Sequence, residues 1–287
     1  MNDTLTRSYA ACQQVTRHAA SNFYYGFLVL PRAKRQAMHA LYAFLRKTDD
    51  LADEDGPTDV RRRALDDWRA SLDRALSGTC NDDLMPALVD TVERYNIQPA
   101  WLHATIDGVC RDQDEMKLET FDDLKHYCYQ VAGVVGLSCV SIWGLRDPSK
   151  DITHLAIARG AAFQMTNILR DLKEDADHGR VYLPEEDLRR FGYTIDDLKA
   201  GLSNDAFRNL MRFEVARADS LYRESAELSE HLLPEGQAAL SAMSGVYHRL
   251  LEEIKRRDGD VFGERIRLSA WQKFGIAARS FWPRPIW

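Results

Sequence analysis

The sequence predicts an all-α fold in one domain covering residues 1–287. Three observations carry this. Apolar residues recur at helical spacing over long stretches. Strand-like alternation is scarce, with only GRVYLP (179–184) reading as a short extended piece. Glycine and proline sit mostly between the helical stretches, at Gly56-Pro57, Pro148, Gly179, Pro184 and Pro234, and no long linker, fixed-period repeat or low-complexity tract divides the chain. A chain of 287 residues with 45% hydrophobic and 29% charged content can bury a sizeable core.

The elements follow in order. The apolar run QAMHALYAFL (36–45) is helix-like and passes into RKTDDLADED (46–55), which holds five carboxylates. RRRALDDWRASLDRALSG (61–78) is amphipathic, with Thr58 as its expected cap and Gly78 at its end. The stretch 120–144 opens on a Thr120–Asp123 pair of capping-box type and runs apolar to Gly144. Residues 154–176, 204–232 and 235–257 complete the long helices.

Other classes are excluded or disfavoured. A net charge of −6 argues against a general nucleic-acid binder. No run of about 18 apolar residues offers a spanning helix. The first residues lack the apolar core of a secretory leader, so a cytoplasmic protein is expected. Five scattered cysteines, with no CxxC spacing, read as reduced thiols that fill core.

The acidic residues at 46–55 raise the functional question. Asp-Asp pairs alone mean little, because most are caps and wet faces. Asp-x-x-x-Asp is more selective. In helix-compatible sequence it occurs only at Asp49–Asp53 and Asp171–Asp175. On a helical wheel Tyr42, Arg46, Asp49 and Asp53 fall within about 60°, and Gln164, Asn167, Asp171 and Asp175 within about 80°. A water-facing stripe is the ordinary explanation of such a pair. However, like charges at i, i+4 repel unless a cation offsets them. Asn and Gln are also poor choices for a purely solvated stripe. Hard oxygen ligands on two helices suit Mg²⁺ shared with a substrate phosphate. Arg46, Arg170 and Arg180 could grip the phosphate oxygens as forks.

NFYYGFLVLPRAKRQAMHALYAFLRKTDDLADE, HYCYQVAGVVG and QMTNILRDLKEDADHGRVYLP resemble the squalene/phytoene synthase family, in family order, from about Ser21 to Arg265. The resemblance implies an isoprenoid-synthase bundle of helices around a central cavity. It implies prenyl diphosphate substrates and Mg²⁺ held by Asp49, Asp53, Asn167, Asp171 and Asp175. It places Arg46, Arg170, Gln164 and Arg265 on the substrate, and it makes Tyr42, Tyr129, Tyr182 and Tyr247 active-site tyrosines, with Tyr129 as a candidate proton relay. One departure is visible. Some members carry Ser-Lys-Ser before the FYY position, whereas this chain reads AASNF, with Ser21 but no lysine, leaving His18 or Arg17 as substitutes.

The implied reaction joins two prenyl diphosphates head to head. Apolar faces around Phe23, Phe27, Val134 and Leu137 are expected to line a prenyl tunnel. Phe27 lies one turn from Phe23, where its ring would close the tunnel early and favour two C15 substrates. The stretch 24–54 is also most similar to the bacterial presqualene diphosphate branch. The expectation is therefore farnesyl diphosphate converted to presqualene diphosphate, with continuation to squalene (using NADPH) or dehydrosqualene left open. Phytoene synthesis from two C20 substrates is the alternative. A non-catalytic assembly factor of the same fold is a third reading, which the intact acidic motifs disfavour. The tail ARSFWPRPIW, with Phe281, Trp282, Ile286 and Trp287 beside Arg279 and Arg284, is expected either to touch a membrane interface or to pack back on the domain.

Overall fold

The computed structural model describes residues 3–19, 23–113 and 117–280, and every regular element among them is helical. The tail from Phe281 onward, and Ser21, lie outside the described residues. GRVYLP forms no strand, and among the described residues the one isolated bridge pairs Leu145 with Leu232. No described helix is long and apolar enough to cross a membrane.

Helix α1 (Asp3–His18) packs on α3 (Arg32–Asp53), with the single turn α2 (Tyr24–Phe27) between them in sequence. Pro31 starts α3, and Ala37, Met38, Leu41 and Phe44 bury one face. Helix α4 (Thr58–Leu76) begins at its expected cap residue, so the cap lies one residue earlier: Pro57 is the N-cap and Thr58 already helical. Gly78 follows the helix end at φ +99°, as foreseen. Helices α5 (Met85–Tyr95) and α6 (Pro99–Arg111) pack on α3 and α4.

Helix α7 (Phe121–Cys128) carries the predicted capping box, Thr120 with Asp123. It does not run straight to Gly144. A π-turn at Tyr129–Gly133 precedes α8 (Val134–Trp143). The wider turn changes the phase of every later residue on that helix.

Helix α9 (Thr153–Asp177) is central, touching the π-turn, α8, α12 (Asp205–Glu224) and α14 (Pro234–Arg256). Short helices α10 (Glu185–Phe191) and α11 (Ile195–Lys199) lead into α12, and α13 (Leu228–His231) into α14. Helix α15 (Ala270–Arg279), capped by Ser269 and Gln272, lies on α14 and α2. Buried Arg159 straps α9 to its neighbours: it donates to Ser225 Oγ at 2.9 Å, Ser244 Oγ at 2.8 Å and the Ser225 carbonyl at 3.0 Å.

Glycine lets α9 approach its neighbours closely. A Cβ on Gly136 would sit 2.6 Å from the Ala156 carbonyl oxygen, and one on Gly160 would overlap the Ala132 carbonyl. Gly160→Ala is expected to cost about 1–3 kcal/mol, because backbone rather than a flexible side chain must move. The denaturation midpoint checks it.

A buried acid outside the cavity has a pH signature. Glu214 on α12 is fully buried, and Arg217 reaches both it (2.8 Å) and Asp187 (2.7 Å). Burial pushes Glu214 up to about 8, against the pull of Arg217 and with repulsion from Asp187. A raised folded value stabilises fully below the ordinary 4.5 and loses that contribution as pH rises through about 8. Glu214→Gln should therefore flatten the fall in stability across that window, as read from denaturation midpoints at each pH.

Candidate active site

The helices enclose a cavity of about 800 Å³. Its apolar wall includes Phe23, Phe27, Met38, Leu41, Phe163 and Met243. Its polar wall joins α3 and α9, and both sequence stripes face it. Tyr42, Arg46 and Asp49 line it from one helix, and Gln164, Asn167, Arg170 and Asp171 from the other. Asp53 and Asp175 lie one turn beyond the lining. Asp53 accepts from Arg180 at 2.6 Å.

Asp171 is clamped between two guanidiniums. Arg170 donates to its two oxygens at 2.7 and 2.5 Å, and Arg265 at 3.0 and 2.9 Å. Burial alone would raise its pKa, but the two arginines hold it below the ordinary range. The neighbours differ. Asp49 lines the cavity and keeps solvent access through it, although protein crowds the carboxylate on its other sides. Burial lifts it to about 7, with Arg46 opposing and Asp53, Asp112 and Asp50 repelling. Burial and Asp171 lift Asp175 to about 7, with Arg180 opposing. Arg46 itself pairs with Asp50 at 2.5 Å.

Among the described residues, no three carboxylate, histidine or cysteine side chains are close enough to hold a metal ion by themselves. The donor set nonetheless fits a hard divalent cation shared with a ligand. It consists of oxygen groups, two of them acids with raised values that both feel the charge of Asp112, and Asp112 Oδ1 is buried without a hydrogen-bond partner among the described residues.

Asp112, from the end of α6, was not foreseen. It lines the cavity, and burial lifts it to about 6. Tyr127 donates to its Oδ2 at 3.1 Å. Tyr127 lines the cavity and stacks on Tyr182, with ring centroids 5.0 Å apart. The tyrosine expected here was Tyr129. It starts the π-turn and stays off the cavity wall, and Tyr182 sits behind Tyr127 rather than on the wall itself. The same change of phase sends Val134 and Leu137 into the core and turns Val131, Val135 and Gly136 to the cavity. Tyr247 lies where expected, stacked on Phe163 at 4.5 Å and facing Phe23 at 5.4 Å.

Neither Arg17 nor His18 lines the cavity. His18 turns to the Gln14 carbonyl of its own helix. Arg267 and Lys273 line it instead, from the far end of the chain. Burial and Arg170 lower Lys273 from its ordinary value.

The squalene/phytoene synthase family matches residues 16–272. The chain belongs to this family. The 15-cis-phytoene synthase of Synechococcus elongatus is 36% identical over 94% of this chain and 91% of its own length. The phytoene synthase of Mycobacterium bovis is 37% identical over 96% and 90%. Among solved structures, a dehydrosqualene synthase superposes with a TM-score of 0.87 at 30% identity, covering 96% of each chain. A squalene synthase from Alicyclobacillus acidocaldarius gives 0.81 at 31% identity over 88% of this chain and 95% of that one. As a squalene/phytoene synthase, the protein is a prenyltransferase that condenses prenyl diphosphates head to head, and its fold is the all-α isoprenoid synthase fold.

Proposed function

We propose that the protein joins two farnesyl diphosphates into presqualene diphosphate, in an Mg²⁺-dependent reaction that can continue to a C30 hydrocarbon. The observation that carries the chain length is Phe27. It is 1% exposed, lines the cavity and meets Tyr42 edge-on at 6.1 Å and His39 at 5.7 Å, so its ring cannot swing aside cheaply.

Arg46, Arg170 and Arg265 hold the leaving diphosphate, whose charge grows as the allylic C–O bond breaks. Asp49, Asp53, Asn167, Asp171 and Asp175 would hold Mg²⁺, which when bound neutralises that charge further. Phe23, Phe163 and Tyr247 line the cavity, where π-electrons favour an allylic cation. Apolar walls keep out water that would quench it. The alkene of the second substrate attacks, and loss of one proton closes the cyclopropane. Tyr127, hydrogen-bonded to Asp112, takes the relay role expected of Tyr129, with the departing diphosphate as the other available base. A squalene product would require hydride from NADPH at the second stage.

Phytoene formation from two C20 substrates is the second reading, favoured by the names of the relatives at 36–37% identity. Phe27→Ala tests the choice. Removing the ring is expected to let geranylgeranyl diphosphate in and yield C40 product, while the parent yields C30 from farnesyl diphosphate. In a tightly packed wall the truncation costs about 3–5 kcal/mol, and less where a prenyl chain refills the space. A parent that prefers the C20 substrate would overturn the C30 assignment.

A further inference from the structure

Two large aromatics stand out on the surface, and one helix carries both. Trp271 is 83% exposed and Phe274 54%, and both belong to α15. At helical spacing they share one face with exposed Ala278, spanning about 60°. The opposite side holds the helix to the protein. Ala277 is buried, Ile276 lies against Gly245 of α14, and Lys273 sits 5.9 Å over the Tyr25 ring. The apolar face therefore points outward.

The charge around it is equally uneven. Residues 265–280 contain no acid, in a chain of net charge −6; Arg265 is engaged by Asp171 and Lys273 is turned to Tyr25, but Arg267 and Arg279 are exposed. An outward aromatic face set in a basic segment fits an anionic lipid surface. The rings enter the headgroup boundary, and Arg267 and Arg279 meet the lipid charge. The same segment also walls the cavity, through Ile266, Leu268 and Lys273. A C30 or C40 hydrocarbon leaving past that wall would reach lipid rather than water.

We infer that the Trp271–Phe274 face of α15 docks the protein on anionic membrane surfaces, beside the wall by which the apolar product leaves. Only the exit role rests on the proposed function. Docking itself is read without any turnover.

The test is flotation of the full chain with phosphatidylcholine vesicles, with and without phosphatidylglycerol. The parent is expected to float with the anionic vesicles, less at high salt, and to remain behind with neutral ones. Trp271→Ser/Phe274→Ser should weaken partitioning about tenfold or more. Its turnover on detergent-dispersed substrate should be unchanged, since neither side chain lines the cavity. Arg279→Glu should reduce binding to anionic vesicles alone. A parent that ignores anionic vesicles, or a double variant that floats as the parent does, overturns the inference. So does a parent dimer that the double variant converts to monomer without any vesicle binding, which would assign the face to a second copy of the chain.

Discussion

Asp49→Ala and Asp175→Ala are each expected to lower turnover about a thousandfold, roughly 4 kcal/mol of barrier, while the protein stays folded. Both acids stand among like charges. Asp53, Asp112 and Asp50 press on Asp49, and Asp171 and Glu174 on Asp175. Removing either one relieves that repulsion, so the metal-free variant should be as stable as the parent or more so. The gain has a direction in pH. A raised folded value destabilises progressively as pH climbs from the ordinary 3.8 through about 7, so the advantage appears at neutral pH and vanishes in acid. Asp171→Ala should behave differently. It too should lose turnover, but it leaves Arg170 and Arg265 facing each other without their shared anion. A stability loss on the order of 2 kcal/mol is expected, allowing for the partial exposure of Arg265. Denaturation in the presence of a chelator separates the two classes. Equal stability changes for all three would contradict the clamp on Asp171, and near-normal turnover in any two would contradict the metal-site reading.

Arg170→Lys is expected to cost about a hundredfold in kcat/KM, of the order seen when one preorganised donor is lost. The guanidinium presents two N–H groups to one carboxylate at hydrogen-bonding distance, and the same fork matches two phosphate oxygens. Lysine keeps the charge and loses the geometry. Arg46→Lys should be milder, because Arg46 is only half withdrawn from solvent and already pairs with Asp50. Steady-state kinetics with a single-turnover ionisation step check both. Normal ionisation in both variants would contradict the two-pronged grip.

Much of this site was legible in the sequence, and the reason is helical geometry. Tyr42, Arg46 and Asp49 share a face because their spacing fixes it, and so do Gln164, Asn167 and Asp171. The limits have equally plain causes. Tyr129 was expected from the motif it matches and Val134 and Leu137 from their apolar run; the wider turn at Tyr129–Gly133 shifts the residues after it, so Val135 and Gly136 line the cavity, and Tyr127, before the turn, lines it as well. Asp112 sits at a helix end outside the two acidic stripes, and only the fold carries it to Tyr127. Lys273 and Arg267 stand more than 90 residues beyond the second acidic motif, where nothing local marks them. Thr58 shows the smaller error of one residue at a helix start, the kind of shift proline at the boundary readily produces.

The most direct test of the site as a head-to-head C30 centre is to supply farnesyl diphosphate alone with Mg²⁺ and identify the products by mass, with and without NADPH. Expected is inorganic diphosphate released together with presqualene diphosphate, or with a C30 hydrocarbon, and neither in the presence of a chelator. Release of no diphosphate from farnesyl diphosphate, or C40 product from geranylgeranyl diphosphate in its place, would contradict it.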